Sequence, residues 1–233
     1  TASNMSHFGI NENKSFYLVK DGKPELLAVH DFGFGSSIGS DCRLGGGRSY
    51  KVVNGALYFL STEGSNSCLK KLSADGSIET LSKVNGSVDC IAVSSEEILY
   101  VAMRQQKLQE LYRLEGESEI QLSSFNSDVH ADTYVAVPEF VPFENDGWQL
   151  EGWVLKPKDF DPDKKYPAII DIHGGPKTAY GDVYYHEMQL WANMGYFVFF
   201  CNPRGGDGRG NVFADIRGKY GTIDYNDIMT FVD

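Results

Sequence analysis

No stretch of this 233-residue chain approaches the roughly 20 consecutive apolar residues that span a bilayer, so no membrane segment is expected. Positive charge is scarce. Lys and Arg number 21 against 32 Asp and Glu, a formal net charge of −11. A surface of that sign repels a phosphate backbone and an anionic lipid face, so neither nucleic acid nor membrane is expected as a partner. Cysteine is sparse: Cys42, Cys68, Cys90 and Cys201 form no CxxC pair and no Cys/His cluster of zinc spacing, which argues against a metal site. They read as free thiols of a reducing compartment. The first ten residues, TASNMSHFGI, have neither a basic nor an apolar leader region, and a cytoplasmic location is expected. A Walker A loop is lacking, since Gly218-Lys219 is followed by Tyr220, and no cofactor is expected.

What the chain has in quantity is aromatic residues, 13% of the total, and short alternating segments punctuated by turns. Asp21-Gly22, Asn54-Gly55 and Asp75-Gly76 each separate two strand-like runs. These dipeptides tolerate the positive φ that two-residue hairpin turns require. Two groups of four strands follow one another, Ser49 to Leu81 and Asp89 to Leu122, at the spacing of about 40 residues that propeller blades show. A plain antiparallel sandwich is the alternative. Two or three blades do not close a ring, which takes roughly four to eight.

A polar connector over 126–133 divides the chain. Residues 1–130 are expected to be the C-terminal part of a β-propeller, and 131–233 the N-terminal part of an α/β unit. In the second part Tyr134 to Phe143 and Gln149 to Leu155 read as an antiparallel pair around Asn145-Asp146-Gly147. Ala168 to Ile172 and Phe197 to Cys201 are short, nearly continuous apolar runs, as expected of parallel strands covered on both faces. Between them Tyr184, Met188, Trp191 and Met194 recur at helical spacing, predicting a helix over 183–194. A last helix is predicted over 224–232 with Ile228, Met229 and Val232 inward.

The residues with chemical potential lie at the ends of the two apolar runs. His173-Gly174-Gly175-Pro176 follows the first. Two glycines after a parallel strand let the backbone turn sharply and approach a ligand, at the strand end where α/β folds bind substrates. Backbone N–H groups there can stabilise an oxyanion, and α/β-hydrolases place such a donor in an HGGG-type loop. The alternative is a plain strand-to-helix turn. Asn202-Pro203-Arg204-Gly205-Gly206 follows the second run and should lie beside the first loop. His173, Asn202 and Arg204 are expected to wall the substrate site. Arg204 would bind a carbonyl or carboxylate of the substrate or, as we favour, pair with an acidic side chain to hold its loop. His173 reads as a loop-fixing hydrogen-bond former. Gly35-Ser36-Ser37-Ile38-Gly39 matches the G-x-S-x-G nucleophile pattern, but it precedes His173 by a whole domain and sits in glycine-rich loop, so Ser37 is not expected to be a nucleophile. The remaining histidines, His7, His30, His130 and His186, have no serine and acid companions in a triad-like arrangement.

DGWQLEGWVLKP at Asp146 to Pro157, HGGP at His173 to Pro176 and GYFVFFCNPRGGDGRG at Gly195 to Gly210 together resemble the prolyl oligopeptidase family of serine peptidases, especially its acylaminoacyl-peptidase-like branch. Gly221, Asp224 and Asp227 keep the spacing that the family shows next. Gly206 and Arg209 depart from its N-x-R-G-S-x-G-Y-G pattern, where they stand for Ser and Tyr. The likeness is good over Tyr134 to Asp233 and only propeller-like before it. It implies a β-propeller on an α/β-hydrolase domain, cleavage of short peptides through an acyl-enzyme, and an oxyanion hole with Gly175 as the best single donor and Gly174 beside it. By the same resemblance the Ser-Asp-His triad would follow residue 233. The chain is then expected to be a segment of a longer peptidase, inactive alone. An esterase- or lipase-like hydrolase and a non-catalytic propeller module are the rival readings, and a homo-oligomer is left open because unpaired sheet edges invite association.

Overall fold

The computed structural model describes residues 1–131 and 133–233, with the side chains of Val129 and His130 outside the description. The expected connector over 126–133 therefore lies outside the described residues at Asp132, and the boundary expected at 130/131 adjoins it. His130, whose lack of triad companions was expected, also lies outside in its side chain.

Glycine turns organise the first part. β1 (Phe16–Lys20) and β2 (Lys23–Ala28) are joined by Asp21 and Gly22 at φ 49° and 74°. This is the left-handed pair that matches the twist of a two-residue hairpin. After the short β3 (Gly33–Phe34), β4 (Tyr50–Val53) turns into β5 (Ala56–Glu63) through Asn54 and Gly55, at φ 50° and 77°. β6 (Asn66–Leu72) and β7 (Ile78–Thr80) complete a four-stranded antiparallel meander. Their connection is longer than the two-residue turn expected at Asp75-Gly76: Ser73 N–H donates to Ser77 O, and the Asp75 carboxylate accepts the N–H and hydroxyl of Ser77. A second meander follows, made of β8 (Ser87–Val93), β9 (Ile98–Met103), β10 (Glu110–Glu115) and β11 (Ser118–Gln121). The two meanders share one parallel strand pair, Ser67 with Ser87. Leu60 and Leu69 of the first and Val88, Ile91, Tyr100 and Tyr112 of the second form one buried cluster between them.

After α1 (Ser127–Ala131), a second sheet forms from β12 (Glu139–Phe140), β13 (Phe143–Asn145), β14 (Trp148–Leu155), β15 (Ala168–Asp171) and β16 (Phe197–Asn202). The antiparallel pair expected around Asn145-Asp146-Gly147 is present, with its first strand broken into β12 and β13, both on β14. β15 and β16 run parallel in the register Ala168–Phe197 to Asp171–Phe200, and α2 (His186–Asn193) lies between them in sequence. β16 is central and mostly buried. β15 is half-exposed, and Ile172 beyond it is 55% exposed, because β15 is the edge strand among the described residues. The expectation that both apolar runs are covered on both faces therefore holds for β16 alone.

The helices differ from expectation in detail. α2 begins at His186, not at 183, and Met194 falls past its end, 63% exposed. α3 (Gly210–Ala214) is short. α4 (Ile223–Val232) turns Asp227 inward with Ile228 and Phe231 half-buried beside it, while Met229 and Val232, expected inside, face outward. Among the described residues no helix is long and apolar enough to cross a membrane.

The nine-stranded sheet that holds both meanders and the five-stranded sheet are joined by a shared core, with β1 and β2 forming a separate pair. Ile38 and Met103 from the first part pack with Ala179, Val183 and Tyr184 from the second. Ile38 is fully buried, which for an aliphatic side chain is worth about 1.5–3 kcal/mol. Beside it, Gly39 N–H donates to Ala179 O, and Ala179 N–H donates to Ser37 O.

Candidate active-site edge

The parallel pairing of β15 and β16 places the two glycine-rich turns at one edge. Parallel strands carry their carboxyl ends to the same side, so residues 172–176 and 202–206 leave the sheet together. The two turns that the sequence expects to lie side by side are thus neighbours at that edge.

Asn202 joins them. It is 2% exposed at the last position of β16. Its Oδ1 accepts the N–H of Tyr180 at 2.7 Å and its Nδ2 donates to the carbonyl of Tyr180 at 2.9 Å, with Glu151 Oε2 at 3.2 Å. Both polar ends of the amide are engaged by the loop that continues from HGGP. Asn202 therefore ties the end of β16 to the loop that continues from HGGP. The Tyr180 ring packs edge-on against Phe200 and against His173, at ring distances of 5.3 and 5.0 Å.

His173 makes the local bond expected of a loop-fixing residue. Its Nδ1 lies 3.1 Å from Gly174 O, and because a carbonyl only accepts, Nδ1 carries the proton. Burial holds its imidazole below the usual histidine range. Burial likewise pushes the Asp171 carboxyl up, opposed by the Tyr180 hydroxyl. Gly175 has φ 123°, and a Cβ placed there would come within 2.9 Å of Lys177 N, so the turn requires glycine at that position. A Cβ at Gly174 would meet nothing within 4 Å. That face of the loop is open.

Arg204 is tied down. Its Nε and Nη2 donate to the carboxylate of Asp227 at 2.9 and 2.6 Å, and Nη2 also reaches Asp146 Oδ2 at 2.9 Å. Asp227 is wholly buried and also accepts from Asn145 Nδ2 at 2.7 Å. These bonds raise the guanidinium pKa further and commit the side chain to holding its own turn against α4, a pairing with an acidic side chain as favoured from the sequence.

Ser37 lies in loop, not in a strand-to-helix elbow. Its Oγ donates to Asp207 Oδ2 at 2.8 Å, and its backbone N–H donates to Thr62 Oγ1 at 2.9 Å. Sequence reasoning named neither Asp227 as the partner of Arg204 nor Asp207 and Lys177 as ties between the two parts. The spacing Gly221, Asp224, Asp227 was the available signal for the first. Among the described residues no group of three or more His, Cys, Asp or Glu side chains could hold a metal ion.

Residues 182–233 match the prolyl oligopeptidase family. The chain is 30% identical over 217 residues to an uncharacterized peptidase, YuxL, of Bacillus subtilis, an alignment covering 90% of this chain and 33% of the relative. Its structure is similar to that of the Pyrococcus horikoshii acylaminoacyl peptidase, with a TM-score of 0.78 and 27% identity over 95% of this chain and 33% of that one. It is also similar to an acylaminoacyl peptidase in complex with Z-Gly-Gly-Phe-chloromethyl ketone, with a TM-score of 0.77 and 28% identity over 91% of this chain and 32% of that one. The chain thus spans about a third of the length of each of these proteins.

Proposed function

The chain belongs to the prolyl oligopeptidase family, and from that premise we propose that it supplies the oxyanion side of the active site of a serine peptidase that cleaves short peptides. Residues 1–130 are read as propeller blades and 131–233 as the start of an α/β-hydrolase domain. The nucleophile, acid and base are assigned to the longer protein beyond residue 233, and the chain by itself is read as inactive.

One observation carries this reading: the HGGP loop and the Asn202–Gly206 turn leave parallel neighbours at the same edge, with Asn202 bonding the loop that follows HGGP. When a serine hydroxyl adds to a peptide carbonyl, negative charge develops on the carbonyl oxygen. A backbone N–H already aimed at that position stabilises the charge without reorganising, and losing one such donor costs on the order of 2.7–4 kcal/mol in the barrier. Gly175 is the assigned donor, with Gly174 beside it. The tetrahedral adduct then collapses, expelling the amine and leaving an acyl-enzyme that water hydrolyses. His173, Asn202 and Arg204 shape the turns and take no part in proton transfer. The structure of the relative holding a tripeptide-derived chloromethyl ketone supports a peptide as substrate.

The test is hydrolysis by the full-length protein of a blocked tripeptide anilide against a short-chain ester, with a fluorophosphonate probe as a label for an activated serine. Cleavage of the anilide, blocked by the probe, is expected. Ester cleavage alone would favour an esterase, and no labelling and no cleavage would leave a non-catalytic module.

A further inference from the structure

Two residues after Gly175, Lys177 turns away from the sheet and bonds the N-terminal segment. Its Nζ donates to Asn11 O and to Asn13 Oδ1, both at 2.5 Å. Asn13 is 9% exposed, and its two donor groups are used as well. Its N–H donates to Asn211 Oδ1 at 2.7 Å and its Nδ2 to Asp31 Oδ1 at 3.1 Å, an oxygen that also accepts Asn211 N–H at 3.0 Å. Asn211 follows the second glycine-rich turn. A single polar chain therefore runs from the residue after HGGP, through Asn13, to Asn211 in the first turn of α3.

We propose that Lys177 is a positioning residue for the oxyanion loop, fixing Gly174-Gly175 against Asn13 and, through it, against Asn211 in the first turn of α3. The catalytic part of this proposal rests on the peptidase reading; the anchoring part does not. The geometry gives the anchor a task. The open face at Gly174 offers no packing there, so the loop's direction is set by His173 before it and by the residues that follow. Thr178 is tied at Oγ1 to Ser37 O and Tyr180 to Asn202, and Lys177, the residue directly after HGGP, carries the loop's bond to the N-terminal segment. The acceptors are neutral, so this is no exposed ion pair of negligible worth; hydrogen bonds from a charged donor are about twice as strong as neutral ones.

The experiment compares Lys177→Met, Lys177→Arg and Asn13→Ala in the full-length protein, reading kcat and KM on a tripeptide anilide and amide hydrogen exchange over residues 174–178. Lys177→Met is expected to lower kcat by ~10-fold with KM changed less than about twofold. This is less than the 10²–10³-fold loss for removing an oxyanion donor, because the donor is displaced and not deleted. Exchange at 174–178 should rise by ~10-fold while the β-rich core is unaffected. Lys177→Arg, which keeps a charged donor, should retain most of kcat. Asn13→Ala should act in the same direction, and the double variant should be no worse than the larger single within about twofold, as coupled sites require. Unchanged exchange at 174–178 in folded Lys177→Met, or an unchanged kcat, overturns the proposal. If Lys177→Met does not fold, Asn13→Ala carries the same readings. If the wild-type protein cleaves no peptide, the peptidase reading falls and the exchange arm alone decides whether Lys177 anchors the loop.

Discussion

Arg204 meets Asp227 with its backbone as well as its side chain. The Arg204 N–H donates to Asp227 Oδ2 at 2.9 Å, Nε to the same oxygen at 2.9 Å, and Nη2 to Oδ1 at 2.6 Å. A wholly buried carboxylate is tolerated here because its charge and its lone pairs are answered from one partner, with Asn145 adding a further donor. The contact also explains why α4 turns Asp227 and not Met229 inward.

Removing one member of such a pair strands the other. Asp227→Ala is expected to destabilise the full-length protein by about 3–5 kcal/mol, whereas Arg204→Met with Asp227→Leu should cost clearly less than the single change. Urea unfolding of the wild type and these two variants measures this. A double variant as unstable as Asp227→Ala would mean that the turn needs the pair itself and not merely the absence of an unpaired charge.

His30 gives the fold a dependence on acid. It is 7% exposed, its Nε2 lies 2.8 Å from Ser61 Oγ, and its ring touches Phe16, Phe32 and Phe59. Burial holds its pKa below the usual value. The unfolded chain thus takes up a proton near pH 6.5 that the folded chain refuses, and stability falls as pH drops below that value. The urea midpoint of the wild-type protein should decline between pH 7.5 and 5.5 by more than that of His30→Gln. Equal declines would place the acid sensitivity elsewhere.

Gly208 is one of the places where the two parts touch backbone to backbone. Its carbonyl accepts Gly64 N–H at 2.6 Å, its φ is 81°, and a Cβ added to it would sit 2.2 Å from Gly64 O. Gly208→Ala combines a left-handed backbone with a clash that no side-chain rotation relieves, so it should cost about 2 kcal/mol or more. Its unfolding midpoint against that of Gly64→Ala is the comparison: a Cβ at Gly64 meets only Glu151 Oε1, at 3.7 Å, so that change should cost less.

What was legible in the sequence follows from how local each feature is. Asn54-Gly55 announces a hairpin because the φ it permits is decided by those two residues. The strand, HGGP, helix, strand order was equally readable. The start of α2 was not, because it is set from far away: Asp41 accepts the N–H groups of His186 and Glu187 at 2.7 and 2.8 Å, capping a helix 145 residues later in the chain. Tyr184, which shares the helical spacing, is buried on the loop before that cap. The exposure of β15 depends on what pairs with its outer edge, and the ties of Lys177, Ser37 and Asp207 join residues more than 140 positions apart. No pattern within one segment records such pairs.

Ser37 is the sharpest case of a motif without its context. G-x-S-x-G acts as a nucleophile elbow only when a strand-to-helix turn lifts the hydroxyl free beside a base. Here the hydroxyl is spent on Asp207, and among the described residues no histidine bonds it. Ser37→Ala should leave fluorophosphonate labelling of the full-length protein intact and lower stability by about 1 kcal/mol, the ordinary worth of one hydrogen bond, or somewhat more because Asp207 is a charged acceptor. The purified 1–233 chain should neither label nor hydrolyse an anilide. Labelling that disappears in Ser37→Ala, in either protein, would make Ser37 a nucleophile and overturn the placement of the catalytic serine beyond residue 233.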